Sequence, residues 1–203
     1  ELLEELINNN YNEPRIYKHM SDIYLEEGNS DTALEYLSIG REMFEEDQGL
    51  IIDEINLYLQ LERTSELIIK LTEAIVLDPE NEIFYLSRGT IYDQLGEFKN
   101  AENDYKESLV LNPDNFSANY NLGALYFNRA LEINNKANAS DGNVYDKLKK
   151  QAKDLFTNAL PYLEEAYALN SKDKNTLLSL KQLYYMNGDY SKSEAMKKEI
   201  ADL

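Results

Sequence analysis

The sequence contains no cysteine, no tryptophan and a single histidine, His19. Without cysteine there is no disulfide framework, no thiolate nucleophile and no cysteine-based zinc or iron–sulfur site. Any mechanism that pairs a histidine with a nucleophile would have to use His19. The sequence also lacks a glycine-rich phosphate loop and the short motifs of zinc proteases and serine hydrolases. We therefore predict that the protein is not an enzyme, with no catalytic residue, no cofactor and no metal site.

Long apolar runs are absent too. No segment approaches the roughly 18 apolar residues of a transmembrane helix, so we expect a soluble protein without membrane insertion. The chain begins with Glu1, and its first residues indicate the middle or end of a helix rather than a signal peptide. We therefore expect that upstream residues were trimmed or processed. The compartment stays open between the cytoplasm and, if a signal was removed, a periplasmic or secreted location.

Positive charge is scarce in the first part of the chain. The whole sequence has 38 acidic and 20 basic residues, a net charge of -18, and residues 1–113 alone hold 26 acidic and 8 basic ones. Such a surface repels phosphate backbones, so we predict no nucleic-acid partner. Residues 114–203 are neutral overall. This polarity is compatible with self-association or with a partner that has a basic patch, but acidity can also simply keep an elongated helical protein soluble.

A tyrosine, a glycine and an alanine recur at fixed spacing, as Tyr24–Gly28–Ala33 and as Tyr92–Gly96–Ala101. Pro79 and Pro113 lie 34 residues apart in near-identical phrases, Val76-Leu-Asp-Pro-Glu-Asn81 and Val110-Leu-Asn-Pro-Asp-Asn115. Apolar residues between these landmarks recur at helical spacing. The pattern resembles the tetratricopeptide repeat family, whose unit is a helix–turn–helix of about 34 residues.

This resemblance implies an all-α fold, a right-handed superhelical solenoid of antiparallel helix pairs. It covers essentially the whole chain as a single domain, 1–203, with a partial repeat at 1–13 and repeats at about 14–47, 48–81, 82–115, 116–173 and 174–203. Glycine in the turn supplies the positive φ that closes a first helix, although the second repeat lacks it. Small residues such as Gly89 and Ala101 let paired helices approach closely. Pro79 and Pro113 predict a helix end followed by a cap.

The fourth repeat contains an insertion. Tyr126 and Ala159 are 33 positions apart, whereas the equivalent residues of other repeats are 9 apart, an excess of 24. Most of the excess has helical composition, so we predict that both helices are about 12 residues longer and project roughly 18 Å. The turn is expected at Asn138–Asn143, with Asn143 as the cap of the following helix. Pro161 should kink that second helix near Thr157.

A basic stretch follows the tip of this hairpin. It is either an ordinary solvated helix face or a docking element for an acidic partner, and it consists of Lys147, Lys149, Lys150 and Lys153.

The resemblance also implies that the first helix of each pair lines a concave groove. The residues that it places there are Lys18, Asp22, Asn56, Gln60, Thr90, Gln94, Tyr120, Phe127, Asn128, Gln182 and Tyr185. Asparagine and glutamine both donate and accept hydrogen bonds, and aromatic rings supply flat contact area, which suits a bound peptide. Ordinary solvent-facing side chains are the alternative interpretation of this set.

Together these features predict a non-catalytic protein–protein interaction scaffold that binds a peptide or helix of another protein in its groove. Two other functions stay open. The chain can be a structural or assembly subunit that acts through its ends and the projecting hairpin, or the repeat region of a larger protein.

Overall fold

The computed structural model describes residues 13–45 and 47–203, and within them it contains ten α-helices and no strand. The helices are α1 Pro14–Glu26, α2 Ser30–Met43, α3 Gln48–Gln60, α4 Thr64–Leu77, α5 Glu82–Gln94, α6 Phe98–Leu111, α7 Phe116–Asn138, α8 Gly142–Leu169, α9 Lys174–Met186 and α10 Tyr190–Ala201. Consecutive helices form five antiparallel pairs, so the predicted all-α fold of helix pairs is confirmed. Among these helices, none is both long and apolar enough to cross a membrane. The predicted partial repeat at 1–13 lies almost wholly outside the described residues.

The helix starts follow the repeat seen in the sequence. An acidic or amide residue caps the first helix of each of the last four repeats, and its side chain accepts a backbone N–H bond from inside the helix; the caps are Asp47, Asn81, Asn115 and Asp173. Such a side chain satisfies one of the amide groups that a helix start leaves unpaired. The predicted caps after Pro79 and Pro113 are therefore confirmed.

Four turns between paired helices share one backbone geometry with a residue at positive φ. Three of these residues are glycines, Gly28, Gly96 and Gly188, with φ between 74° and 81°. In the second repeat, which lacks the glycine, Glu62 adopts φ 55° at the same position. The amide of Arg63 still donates to the Tyr58 carbonyl, at 3.0 Å, as the amide of Glu97 does to Tyr92 at 2.8 Å. The turn is thus imposed on a residue that disfavours it.

Replacing this residue by glycine is expected to stabilise the protein. Glycine avoids the cost of about 1–2 kcal/mol that the left-handed conformation imposes on an L-residue. Part of this gain is lost, because glycine has more conformational freedom in the unfolded chain and so stabilises the unfolded state. We expect Glu62→Gly to raise the free energy of unfolding by about 0.5–1 kcal/mol, measured by urea denaturation followed by circular dichroism. The matched variant Gly96→Ala should lower it by a similar amount. A lower unfolding midpoint for Glu62→Gly would contradict this prediction.

The chain divides into two compact units, with the boundary between the second and third repeats. The N-terminal unit ends at Pro79 and contains α1–α4, and the C-terminal unit, Glu80–Leu203, contains α5–α10. Each unit has its own apolar core. In the N-terminal unit Tyr17, Leu37 and Leu50 are at most 2% exposed, and the C-terminal core centres on Leu122, Leu163 and Leu180, which are fully buried. The sequence prediction of a single domain stays a prediction.

Glycines allow the paired helices of the C-terminal unit to approach closely. A Cβ on Gly89 of α5 would lie 2.9 Å from Cδ1 of Tyr105 in α6. At the equivalent position of the next repeat, a Cβ on Gly123 of α7 would lie 2.7 Å from Cγ of Leu163 in α8. Both distances are shorter than van der Waals contact, which confirms that a small residue is needed at these helix crossings.

The fourth pair is elongated. Helices α7 and α8 have 23 and 28 residues, against 13 and 14 in the preceding pair. The insertion therefore extends both helices, as predicted, by unequal amounts. The predicted cap was wrong: α8 begins at Gly142, so Asn143 lies inside it, and Asp141 is the N-cap without a side-chain bond. The helix continues through Pro161, and the kink near Thr157 stays a prediction.

Candidate protein-interaction surface

In the N-terminal unit, the first helices α1 and α3 lie side by side and leave a shallow groove. Four residues that the sequence assigned to a binding groove line it together, namely Lys18, Asp22, Asn56 and Gln60, and its volume is about 240 Å³. Leu25, Leu37 and Leu57 also line it. The structure thus brings these four side chains together in one groove. Binding of a partner by these side chains stays a prediction.

Charge in this groove is dominated by one ion pair. Lys18 Nζ lies 2.7 Å from Asp53 Oδ1, and this hydrogen bond raises the pKa of the Lys18 ammonium. Asp22 is exposed beside it and interacts with Lys18 through space, and its closest ion contact among the described residues is from its Oδ2 to Nδ1 of His19, at 4.0 Å. One ammonium, Lys18, thus faces two carboxylates, Asp22 and Asp53, in the lining of the groove. This groove therefore favours a cationic group over a carboxylate.

In the C-terminal unit, the first helices are α5, α7 and α9, and we call the surface that they share the first-helix face. Each helix has an exposed amide at a position that the resemblance assigns to the groove: Gln94, Asn128 and Gln182. None of the three side chains has a hydrogen-bond partner among the described residues. Tyr185 is 63% exposed and packs edge-on against Tyr190, with ring centroids 5.4 Å apart. These four groups are available to a ligand.

Two other predicted groove residues already contact neighbouring side chains of the protein. The Thr90 hydroxyl donates to the Leu86 carbonyl at 2.9 Å and accepts from Tyr105 and Asn121, each at 3.5 Å. Tyr120 is half-buried and stacks on Phe116, with centroids 6.2 Å apart. Thr90 and Tyr120 therefore have fewer groups available to a ligand than the three exposed amides.

Phe127 belongs to the core. It is 5% exposed, and its ring centroid lies 5.7 Å from that of Phe156 in α8. Phe156 of α8 packs on Phe127, which is therefore a packing position and not an open groove position. The assignment of Phe127 to an open groove is corrected accordingly.

The basic stretch of α8 divides into one engaged lysine and three exposed ones. Lys149 Nζ donates to Asn134 at 2.8 Å and to Asn138 at 2.7 Å, and it lies 5.3 Å from the Tyr145 ring centroid. It thereby ties α8 to α7 near the tip of the hairpin. The exposed members are Lys147, Lys150 and Lys153.

Comparison with known proteins identifies the repeat. Residues 89–129 match a family model described as TPR repeat, the tetratricopeptide repeat. This segment is therefore a tetratricopeptide repeat. A search of curated proteins found no match. Solved tetratricopeptide-repeat structures align with nearly all of the chain, at low sequence identity.

Three of these structures show the extent of the similarity. A crystal structure of MamA has a TM-score of 0.70 at 15% identity, covering 93% of this chain and 90% of MamA. YrrB, described as a TPR protein with an unusual peptide-binding site, has a TM-score of 0.67 at 15% identity, covering 100% of this chain and 92% of YrrB. A tetratricopeptide repeat protein from Parabacteroides merdae has a TM-score of 0.51 at 17% identity, covering 93% and 79%. At these identities the similarity is one of fold, and it confirms the predicted tetratricopeptide architecture.

Sequence reasoning missed two ion pairs inside the tetratricopeptide repeats. In the third repeat Arg88 donates two hydrogen bonds to Asp104, from Nε to Oδ2 and from a terminal nitrogen to Oδ1, both at 2.8 Å. In the second repeat the same two positions hold Glu54 and Lys70, 3.5 Å apart, with the charges reversed. The sequence feature that could have predicted these pairs is the presence, in both repeats, of two opposite charges 16 residues apart.

Glu54 is the most buried charge of the N-terminal unit. Its side chain has 0% exposure, and it forms a short ion pair with Arg41 of α2 in addition to its contact with Lys70. Arg41 and Lys70 also approach Glu73, at 3.5 Å and 3.3 Å. Charges from three helices therefore hold α2, α3 and α4 together, because an unpaired carboxylate at this depth would be strongly destabilising.

A second buried carboxylate, Glu102 of α6, joins the third and fourth tetratricopeptide repeats. It accepts hydrogen bonds from Lys106, Lys99 and the Tyr126 hydroxyl at 2.7, 2.8 and 2.6 Å. Burial alone would raise the pKa of Glu102, but these three bonds lower it to about 2. Burial and the bond to Glu102 raise the pKa of Tyr126 to about 12. Glu102 therefore stays ionised, and Tyr126 stays a neutral hydrogen-bond donor to it, throughout the physiological pH range.

Proposed function

We propose that this protein is a non-catalytic interaction module, and that the first-helix face of its C-terminal unit binds an extended peptide or a helix of another protein. The observation that carries the proposal is the set of three exposed amides, one from each successive first helix, with no partner among the described residues. An exposed amide can donate and accept at once, which matches the alternating groups of a peptide backbone. Tyr185 adds a flat apolar contact at the end of the row.

The spacing of helices suits this ligand. Packed helices lie about 8–10 Å apart, and an extended chain advances about 3.3 Å per residue. Gln94 and Gln182, two helices apart, would therefore contact a peptide of about six residues, with Asn128 near its middle. YrrB, which shares the fold, is described as having a peptide-binding site, and this supports the class of ligand without fixing the residues.

The test uses a library of random 12-residue peptides, selected on the folded chain, with dissociation constants then measured by fluorescence anisotropy. The double variant Asn128→Ala with Tyr185→Ala is expected to weaken the selected peptides about ten-fold or more, since each lost hydrogen bond or aromatic contact is worth about 1 kcal/mol.

The matched control is Gln151→Ala, which removes an exposed amide from α8, the second helix of its pair. It should leave the dissociation constants unchanged. Selection of no peptide, or of peptides that bind the double variant as tightly as the parent chain, would refute the proposal.

A further inference from the structure

A groove of about 610 Å³ lies at the base of the elongated hairpin, within the C-terminal unit. We call it the hairpin groove, and the lining residues that matter here are Lys149, Ala152, Lys153, Phe156 and Leu160 of α8 and Met186 at the end of α9. It includes ends of α7 and α9, but none of Gln94, Asn128, Gln182 and Tyr185 lines it.

The groove arises from a difference in helix length. Helix α8 has 28 residues, whereas α9, which packs on it, has only 13 and ends at Met186. The N-terminal part of α8 therefore extends past the end of α9, and the side of α8 that faces α9 is left open there. A fourth repeat of ordinary length would have no such surface.

The floor of the hairpin groove is an apolar row along α8. Ala152, Phe156 and Leu160 follow one another at intervals of four residues, so they lie on one face of the helix over about 12 Å. Ala152 and Phe156 are at most 5% exposed, and Met186, which is 37% exposed, forms the opposite wall. An apolar row of this length matches the side chains that a helix presents at spacings of three, four and seven residues.

Charge at the groove is positive in a protein that is otherwise acidic. Lys149 and Lys153 line it, and no carboxylate does so among the described residues. Lys149 is already held by Asn134 and Asn138, whereas the exposed Lys153 has no side-chain partner among the described residues. Lys150 is exposed on the neighbouring side of α8. Residues 114–203 are neutral overall, so these lysines give the groove a local positive charge, which favours an acidic ligand.

We propose that the hairpin groove binds an acidic amphipathic helix of a partner protein. Its apolar side chains would pack on Phe156, Leu160 and Met186, and its carboxylates would pair with Lys153 and neighbouring lysines. The groove fits a helix better than an extended strand, because its floor is a straight row of side chains and offers no open backbone edge for strand pairing.

Two labelled 18-residue peptides test the proposal on the full chain by fluorescence anisotropy. Both carry leucines at helical spacing, with glutamates beside them in one peptide and lysines in the other. We expect the glutamate peptide to bind at least about ten-fold more tightly, and to weaken when salt is raised, because the lysines are solvent-exposed. Equal affinity for the two peptides, or no binding of either, would overturn the proposal.

Variants locate the site. Lys153→Glu should weaken the glutamate peptide about five-fold or more, and Met186→Asp about ten-fold, since one removes the charge pairing and the other the apolar wall. The matched control Lys174→Glu makes the same charge change at the exposed start of α9, about 18 Å from Met186 along the helix, and should have no effect. Unchanged affinity of Lys153→Glu would rule the groove out.

Two further measurements distinguish the hairpin groove from the first-helix face and from a membrane-binding surface. Asn128→Ala with Tyr185→Ala should not alter binding of the glutamate peptide, and a loss there would move the ligand to the first-helix face and overturn the proposal. Anionic phosphatidylserine vesicles should not sediment with the chain. Vesicle binding that is lost in Lys153→Glu, without peptide binding, would assign the lysines to a membrane surface and reject a protein partner.

Discussion

Arg88→Glu is expected to destabilise the C-terminal unit by at least about 3–5 kcal/mol. The substitution removes both bonds to Asp104 and places a second carboxylate beside it, at a site where the two side chains are only 16% and 7% exposed. Breaking a buried ion pair costs this much because one charge is left without a partner. A loss of this size is comparable to the total stability of many domains, so the variant should unfold at much lower urea concentration or fail to fold at 25 °C.

The double variant Arg88→Glu with Asp104→Lys keeps this prediction testable if the single variant does not fold. It places in the third repeat the same charges that the second repeat carries at Glu54 and Lys70. We expect it to recover most of the lost free energy of unfolding, though not all, since lysine cannot reproduce the two-pronged contact of arginine.

An exposed ion pair of the same unit provides the control. Lys197 and Glu194 are 3.1 Å apart, with side chains 65% and 71% exposed. Lys197→Glu should lower the free energy of unfolding by less than about 1 kcal/mol. The prediction would be wrong if Lys197→Glu lowered the free energy of unfolding as much as Arg88→Glu does. It would also be wrong if the double variant were no more stable than Arg88→Glu alone.

Gly123→Ala should lower the free energy of unfolding by a net amount of about 1–2 kcal/mol. The added Cβ would lie 2.7 Å and 3.0 Å from side-chain atoms of Leu163 and 3.2 Å from its backbone nitrogen. The Leu163 side chain can rotate away, but its backbone can move only if α8 shifts away from α7. Overpacking of this kind typically costs about 1–3 kcal/mol, and it has to exceed the roughly 1 kcal/mol that alanine gains over glycine within a helix.

The measurement is urea denaturation, with Ser117→Ala as the control. Ser117 is exposed in the first turn of the same helix, so its replacement should change the free energy of unfolding by less than about 0.5 kcal/mol. A Gly123→Ala variant as stable as the parent chain would show that the two helices have room to separate.

The repeat made most of the fold predictable. Residues such as Leu71, Ala101, Leu163 and Leu177 are fully buried at the positions that the repeat pattern assigns to the core. Helix–turn–helix units depend on local spacing and neighbouring contacts, which a periodic sequence shows directly. The insertion was predictable for the same reason, since its residues keep helical composition on both sides of a single turn.

What escaped prediction depends on contacts between helices. Phe127 is an aromatic residue of the kind that suits a binding surface, but its packing against Phe156 of α8 buries it. Lys149 resembles its neighbours in sequence, yet the amides of α7 engage it. Glu62 shows the opposite case, because the turn forms although the favoured residue is missing. Packing overrides local preference at each of these positions.

The reversed ion pairs also restrict how the helices can be combined during folding. Neighbouring repeats are similar enough in sequence that α3 could pack on α6 in place of α4, or α5 on α4 in place of α6. The first error would place Glu54 against Asp104, and the second would place Arg88 against Lys70. Both bring like charges together at a buried position, whereas each native pair is neutral. The opposite polarity of the two pairs therefore disfavours packing of a first helix on the second helix of the neighbouring repeat. A variant with the same polarity in both repeats would lose this discrimination.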